Sequence, residues 1–274
     1  MAELPILIVG GAGKTGARVD ALLRARGVAT RPVSRSTPVP FDWTRPETWP
    51  AALAGVSAAY VTYQPDLAAE GAAEAIAEVA RRSRACGLKH LVLLSGRGEA
   101  RAQQAEAALQ QSGIPWTIVR ASWFNQNFSE GYLLDGVKAG EIALPAGAVL
   151  EPFVDADDIA EIVVAALTDT KRHVNKLYEV TGPHALTFAQ AVAEIAAASG
   201  RQVEYRQVAP QVFAAGLRPH VPADIVALML ELFTTVLDGR NSGIAHGVEA
   251  ALGRPARDFP GYARRTAATG VWRA

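Results

Sequence analysis

A cluster of glycines follows the first apolar run of the chain. Residues 6–9 read Ile-Leu-Ile-Val, and Gly10, Gly11, Gly13 and Gly16 come directly after them. The last three fit the spacing G-x-G-x-x-G, and the set without Gly11 fits G-x-x-G-x-x-G. A buried strand that turns into a helix through such glycines directs backbone N–H groups to a pyrophosphate at the helix N-terminus. The spacing therefore predicts a dinucleotide site, with a tight structural turn as the alternative.

Lys14 and Thr15 also complete the end of a phosphate-loop motif. Gly13-Lys14-Thr15 matches the last three letters of G-x-x-x-x-G-K-[ST], a loop that binds nucleotide phosphates. The first glycine of that motif would fall at Ile8, inside the predicted strand. We therefore expect Lys14 and Thr15 to serve the dinucleotide loop.

An arginine stands where dinucleotide folds recognise the adenosine ribose. An acid about twenty residues past the glycines binds the 2′-hydroxyl, whereas an arginine nearby accommodates a 2′-phosphate. Arg35 follows Ser34 at the end of the second predicted strand, and the first acid beyond it is Asp42. We expect NADP(H) as the cofactor, with Lys14 and Ser36 available to the same phosphate. The alternative is an arginine that is merely exposed in a loop.

Three further predicted strands end in residues suited to contact a ligand. The carboxyl ends of parallel strands share one edge of a sheet, and ligands bind there. Trp123 and Phe124, followed by Phe128, would form aromatic walls for a flat apolar substrate. The alternative is that they pack the C-terminal helices against the sheet. The strands, at residues 57–62, 91–94 and 116–120, lead into Tyr63, Ser95 and Trp123. The residues expected to contact the cofactor are Gly10, Gly11, Gly13, Lys14, Thr15, Gly16, Ser34, Arg35, Tyr63, Gln64 and Pro65.

Strand, loop and helix alternate through the first half of the chain. This alternation predicts an α/β fold, a doubly wound parallel-sheet Rossmann fold with a smaller C-terminal α/β substrate region. We expect the NAD(P)-binding domain over residues 1–152, its core sheet continued by residues 153–182. Residues 183–274 are expected to be a mainly helical substrate-binding region. Later expected elements are strands at 153–154, 176–180 and 203–208, a helix with a Thr187/Gln190 capping box, a helix over 223–237, and a polar tail.

The composition excludes several classes of protein. The 274 residues are 50% hydrophobic and carry no formal net charge, so the strong positive field of a nucleic-acid or anionic-membrane binder is missing. The single cysteine, Cys86, precludes an internal disulfide and a cysteine-based zinc cluster, and the five histidines lack metal-ligand spacing. No signal peptide or membrane span is visible. We expect a cytoplasmic monomer or homodimer with no metal, no nucleic acid and no membrane partner.

Four features of the sequence occur together in one order. They are the glycine loop 10–16, Arg35, Phe124-x-x-Asn127-Phe128, and the run Phe153-Val-Asp-Ala-Asp-Asp-Ile-Ala. In this the chain resembles the NmrA-like branch of the atypical short-chain dehydrogenase/reductases. Within the branch it is most similar to the ergot-alkaloid reductases of the agroclavine and festuclavine dehydrogenase type, through FDW at 41–43, LLSG at 93–96 and VRASWFNQNF at 119–128. The chain departs from them at Ala121, where such proteins usually have proline, and the loop there is less rigid as a result.

The resemblance implies hydride chemistry, but the usual proton donor is missing. Ordinary members of the larger superfamily use Tyr-x-x-x-Lys, in which the lysine lowers the tyrosine pKa. No tyrosine of this chain has a lysine four residues later. Reduction of a ketone needs a proton, whereas an iminium ion accepts hydride without one and a quinone or enone delocalises the charge. Ser95 and Tyr132 are the candidate catalytic donors, and for each a structural role is the alternative.

Two functions follow from the resemblance. The first is an NADPH-dependent oxidoreductase that reduces an apolar imine or iminium ion, enone or quinone, with the protein orienting the nicotinamide and excluding water. The second is an NADP(H)-binding redox-sensing regulator without catalytic activity. The missing Tyr/Lys pair is compatible with both.

Overall fold

The computed structural model describes residues 4–273 and contains eight strands within that range. Six of them form one parallel sheet in the order β2-β1-β3-β4-β5-β7, and β6 pairs with β8 in a second parallel sheet. The larger sheet reverses its strand order between β1 and β3, because β2 lies on one side of β1 and β3 on the other. The strands are β1 (Ile6–Val9), β2 (Thr30–Val33), β3 (Ala58–Val61), β4 (Leu91–Gly96), β5 (Trp116–Ala121), β6 (Glu141–Leu144), β7 (Lys176–Val180) and β8 (Glu204–Gln207).

Helices connect the strands. Beside them, a short 3-10 turn at Pro46–Thr48 precedes α2, and a π-helical turn at Leu232–Val236 follows α11. The α-helices are α1 (Lys14–Ala25), α2 (Trp49–Leu53), α3 (Ala72–Ala85), α4 (Ala100–Gln111), α5 (Asn127–Glu130), α6 (Leu134–Ala139), α7 (Ala156–Thr168), α8 (Thr170–His173), α9 (Phe188–Ser199), α10 (Pro210–Leu217), α11 (Ala223–Glu231), α12 (Gly247–Leu252) and α13 (Phe259–Thr269).

The described chain divides into two compact units. Unit 1 comprises the residues up to Ala121 together with Ala156–Val180 and Gly247–Arg254, and unit 2 comprises Ser122–Asp155, Thr181–His246 and the residues from Pro255. This division differs from the expected boundaries at 152 and 183. The chain leaves unit 1 after β5 and returns to it, because β7 completes the large sheet by pairing with β5.

Unit 1 is held together by the apolar sides of its sheet and helices. Strands β1 and β3 are buried along their whole length, as expected of parallel strands covered on both faces. Helix α12 packs against β7, where a side chain at Gly247 would overlap the carbonyl oxygen of Glu179. The predicted doubly wound α/β fold is therefore confirmed.

Unit 2 has a core of its own, rich in aromatic side chains. Phe128, Phe153, Phe188 and Phe259 are all nearly inaccessible to solvent and pack edge to face or tilted, with ring centroids 5.0–6.2 Å apart. Such arrangements are the favoured ones for aromatic pairs. Trp272 joins this core and donates its indole N–H to the carbonyl of Phe128 at 2.8 Å.

Several expectations for the second half of the chain need correction. The strand expected at 153–154 is a single bridge between Val154 and Phe124. The tail expected to be polar contains two helices that the sequence analysis did not predict, α12 and α13, and the Asp258 carboxylate caps α13 by accepting from the Gly261 N–H at 2.9 Å. The strand β6 was not expected. Among residues 4–273, no helix is both long and apolar enough to cross a membrane.

Candidate functional site

The glycine loop joins β1 to α1 in unit 1. Gly10 has a φ of +80°, a conformation that glycine adopts without steric cost, and its carbonyl accepts from the Gly13 N–H at 2.8 Å. A side chain at Gly10 would overlap the Thr62 hydroxyl, and one at Gly16 would overlap the Gly10 carbonyl oxygen. A Cβ at Gly11 would lie 2.5 Å from Cβ of Pro32 on the neighbouring strand. These three glycines therefore permit close packing of strand, loop and helix.

Gly13 differs from the other glycines of the loop. A Cβ there would lie 3.2 Å from the Gly10 carbonyl oxygen and meet no other nearby heavy atom. Gly13 is the N-cap of α1, so no cap side chain bonds to the first N–H groups of the helix, and no acid lies in its first turn. A bare helix N-terminus of this kind favours an anion. The geometry fits the pyrophosphate of a dinucleotide.

The predicted roles of Lys14 and Thr15 are modified by their contacts. Thr15 is almost fully buried, and its hydroxyl accepts from the Tyr60 hydroxyl at 2.9 Å. The Thr15 side chain thus supports the sheet, and only its backbone N–H remains suited to a cofactor. The carbonyl of Lys14 accepts from Arg18 at 2.7 Å, within the first turns of α1.

Arg35 is exposed directly after β2, where the sequence predicts the ribose phosphate to bind. Ser34 and Ser36 lie beside it, with their hydroxyl oxygens 3.2 Å apart. The nearby acid Asp42 is engaged in its own turn, since its carboxylate accepts from the N–H and hydroxyl of Thr44 at 2.9 and 2.8 Å. These bonds hold the pKa of Asp42 below its usual value, with smaller contributions from Arg35 and Arg45. The segment after β2 therefore presents an exposed cation, while its nearby carboxylate is engaged in its own turn.

The segment after β3 lies against the glycine loop. Thr62 donates its hydroxyl to the Val9 carbonyl at 3.0 Å. Trp43 fixes this segment from the other side, because its indole N–H donates to the Thr62 carbonyl at 3.2 Å and its ring lies 4.6 Å from that of Tyr63. Gln64 and Pro65 follow, exposed and joined by a cis peptide bond. The segment 63–65 therefore follows directly after Thr62, which contacts the glycine loop, and its contact with a cofactor stays a prediction.

Ser95 is expected to be a catalytic donor, but in the structure its side chain is buried and bonded to another residue. It is 4% exposed, and its hydroxyl donates to the Glu106 carboxylate at 2.6 Å. The Glu106 side chain is 2% exposed, and its carboxylate also accepts a hydrogen bond from Nε of Arg120 at 2.9 Å. A terminal amino group of the same guanidinium donates a second hydrogen bond to it. A hydroxyl held in this way orders the end of β4 and is not presented to a substrate.

Arg120 lies near the end of β5, and the sequence analysis includes it only within the motif VRASWFNQNF at 119–128. It bridges Glu106 and Glu179, and Arg97 donates to Glu179 at 2.7 Å. The bonds to Glu106 raise the pKa of Arg120 above its usual value. Glu106 is the buried member of this partly exposed ionic group, and loss of Arg120 would leave its carboxylate uncompensated. The group therefore helps to fix the ends of β4, β5 and β7 relative to one another. Its only sequence signal is the arginine at the end of a predicted strand.

The predicted substrate residues lie in unit 2 and have unequal exposure. Trp123 is half-buried, with its ring 4.8 Å from Phe233 and 5.6 Å from Phe188. Phe124 is also half-buried and forms the bridge to Val154. Tyr132 is 46% exposed, and its ring lies 6.5 Å from Phe233. The structure therefore connects Trp123 and Tyr132 through Phe233.

Phe128 does not fit its predicted role. Its side chain has no exposed surface and packs inside the aromatic core of unit 2, so a ligand has nothing of it to touch. The same loop carries two polar groups that sequence reasoning missed. Ser122 Oγ and the Asn125 side-chain amide are buried and have no hydrogen-bond partner among the described residues. Buried polar groups are normally bonded, so these two are candidates for a bound water or a ligand.

The sheet, its switch point and the glycine loop define a dinucleotide-binding protein. The model of the NmrA-like family matches residues 101–263, and the NAD(P)H-binding model matches residues 8–170. The chain belongs to the NmrA-like family. The predicted family and the predicted class of nicotinamide cofactor are thus confirmed.

Similar proteins include named reductases. The NAD(P)H azoreductase of Xenophilus azovorans is 32% identical over 96% of this chain and 98% of its own. Festuclavine dehydrogenase of Aspergillus fumigatus is 28% identical, over 96% and 97%. The structure of an NADPH-dependent quinone oxidoreductase of Escherichia coli with NADPH superposes with a TM-score of 0.77 at 21% identity, over 95% and 99%. The likeness to these relatives supports the expected oxidoreductase activity, and the structural match supports the fold.

Proposed function

We propose that the protein is an NADPH-dependent reductase that transfers hydride to a mostly apolar imine or iminium ion, enone or quinone. The observation that carries the proposal is the lack of a proton donor of the usual kind. The sequence has no Tyr-x-x-x-Lys pair, and the hydroxyl of Ser95 is committed to Glu106. A ketone needs a proton as its alkoxide forms. An iminium ion does not, and a conjugated acceptor spreads the charge that hydride brings.

The residues of unit 1 suit NADPH. The first N–H groups of α1 bind the pyrophosphate, and the Arg35 guanidinium binds the ribose 2′-phosphate in a charge-assisted contact. The segment Tyr63-Gln64-Pro65 follows Thr62, which contacts the same loop. The cofactor, when bound, supplies the hydride from C4 of its nicotinamide. Support for this assignment comes from the bare N-terminus at Gly13 and from the exposed cation at Arg35.

The acceptor is assigned to a partly exposed aromatic surface of unit 2. Trp123 and Phe124 stack against a flat, apolar molecule, and Tyr132 places a hydroxyl at the edge of the same surface. The relatives' names support this class of acceptor. One is an azoreductase and the structural neighbour is a quinone oxidoreductase, and azo groups and quinones are both conjugated acceptors.

Oxidation of NADPH in a panel of acceptors tests the proposal. The panel contains menadione, an iminium salt, an enal, an azo dye and, as the matched negative control, cyclohexanone. We expect turnover with at least one conjugated or cationic acceptor and none with the ketone. Turnover of cyclohexanone alone would contradict the assigned acceptor class. Tight NADPH binding without any turnover would favour a non-catalytic redox-sensing regulator.

A further inference from the structure

A basic cavity lies in unit 2, between the end of α9 and one face of α13. Its volume is about 460 Å³, within the range of about 300–1,000 Å³ typical of small-molecule sites. Three arginines line it, namely Arg201, Arg264 and Arg273. The remaining lining residues are mostly small: Ala198, Ser199, Ala267, Ala268 and Trp272. None of them belongs to the cofactor or substrate residues assigned above.

The sequence of the two helices explains the shape of the cavity. Arg264, Ala267 and Ala268 are three and four residues apart on α13, so they share one face of that helix. The alanines leave space beside the end of α9. Trp272 is 1% exposed, and its indole N–H is bonded to the Phe128 carbonyl. It therefore provides an apolar wall and no donor.

The three guanidinium groups lack the carboxylate partners that Arg206, Arg240 and Arg265 of unit 2 have. Arg265, next in sequence to Arg264, pairs with Asp155 at 2.7 Å. Over residues 4–273, by contrast, no carboxylate forms an ion pair with any of the three arginines of the cavity.

Arg201 has one N–H group without an acceptor, in addition to its positive charge. One amino group donates to the Lys138 carbonyl at 2.6 Å, which fixes the guanidinium at the end of α6. Its Nε is buried and has no acceptor among the described residues. Because a buried donor without a partner is unfavourable, an acceptor supplied by a ligand would be stabilising here.

The charge of the cavity sets the charge of its ligand. Helices α9 and α13 both end at the cavity, and each C-terminus carries about half a negative charge. Those two ends offset about one of the three positive charges, and the short α6 offsets about half a charge more. Between about 1.5 and 2 positive charges remain, which matches an anion with two negative charges.

We propose that this cavity binds a small organic molecule through a doubly charged phosphoryl group. A phosphate monoester concentrates about two charges and three acceptor oxygens on one group near neutral pH. The guanidinium forks of Arg264 and Arg273 match that geometry in bidentate contacts, and Arg201 Nε donates to a third oxygen. The alanines contact the organic part.

Calorimetric titration with phenyl phosphate, in the presence of saturating NADP⁺, tests this site. The NADP⁺ occupies the phosphate-binding residues of unit 1, so the heat reports on other sites. We expect one saturable site, with affinity lowered about tenfold or more by Arg264→Ala and by Arg273→Ala. Both side chains are exposed, and unchanged melting temperatures would show that the variants fold. Arg218→Ala, an equal loss of charge outside the cavity lining, is expected to change the affinity less than about twofold.

Two further probes define the ligand. Benzoate, with one charge, and inorganic phosphate, without the organic part, are each expected to bind more weakly than phenyl phosphate. No saturable binding, an equal loss in Arg218→Ala, or equal affinity for either of these probes would overturn the proposal.

Discussion

At the scale of single residues, we propose that Arg35 decides the preference for NADPH over NADH. Arg35→Asp is expected to weaken NADPH binding by about 1.5–3 kcal/mol for each charge-assisted bond lost, and to narrow the gap to NADH. Fluorescence titration with both cofactors measures the effect. Arg81→Asp, at an exposed arginine of α3 that pairs with Glu78, is the matched control and should leave the gap unchanged. Equal binding of NADPH and NADH by the unmutated protein would remove the basis for the assignment.

Substitution of Trp123 tests whether its side chain contacts the substrate or only packs in the core of unit 2. Because it is half-buried, Trp123→Ala is expected to lower kcat/KM for the acceptor while NADPH affinity stays the same and the melting temperature changes little. Phe128→Ala, in the fully buried core beside it, is the comparison and should cost about 3–5 kcal/mol of stability. Steady-state kinetics and thermal unfolding of both variants provide the measurement. A loss of stability in Trp123→Ala as large as that in Phe128→Ala would assign Trp123 to the core.

At the scale of elements, two glycines of the loop between β1 and α1 are expected to have different roles. Gly16 is needed for packing, whereas Gly13 is needed for cofactor binding. Gly13 has an extended backbone with φ of −80°, so Gly13→Val is expected to fold and to lose NADPH affinity, because the side chain covers the N-terminus of α1. Gly16→Val, three residues later, should instead fail to fold stably, since its side chain would overlap the Gly10 carbonyl. Circular dichroism and NADPH titration test the pair. Retained NADPH affinity in Gly13→Val would mean that the loop is only a turn.

The sequence predicts the elements whose signals are local. The strands β1, β3, β4 and β5 are apolar runs closed by turns, and β7 was predicted with the bounds observed, Lys176–Val180. The capping box of Thr187 and Gln190 is present as expected. The glycine loop lies between β1 and α1 and Arg35 lies after β2, as their spacing predicts, while their contacts with a cofactor stay a prediction.

The rest depends on contacts between distant residues. Ser95 has its partner Glu106 eleven positions later, on α4, and no spacing rule connects them. Phe128 lies in a core made of rings from residues 153, 188 and 259. Nε of Arg201 is buried without an acceptor, and this depends on how the chain packs around the cavity beside α9 and α13. For these positions the residue type alone did not predict the environment.

At the scale of the whole molecule, buried histidines make stability depend on pH. His90 has no exposed surface, and its Nε2 lies 2.9 Å from the Thr117 hydroxyl. Burial, with a smaller effect from nearby His173, lowers the pKa of His90 to about 4. Because the unfolded chain binds this proton near pH 6.5, the stabilisation from neutral His90 is complete above that pH and is lost as pH falls toward about 4.

Urea unfolding at several pH values measures the effect. The free energy of unfolding is expected to fall by roughly 3 kcal/mol between pH 6.5 and 4 because of His90, and the slope should be smaller in His90→Gln. Comparison of slopes cancels the constant cost of the substitution. The same slope in both proteins would show that His90 does not titrate in this window.

Direct transfer of hydride is the central claim, and NADPH deuterated at C4 tests it most directly. The protein is incubated with this cofactor and an iminium acceptor, and the product is examined by mass spectrometry. With deuterium on the transferred face, we predict one deuterium on the former iminium carbon for each NADP⁺ formed, and a slower rate than with unlabelled NADPH. Bound NADPH that keeps its deuterium with every acceptor of the panel would contradict a reductase.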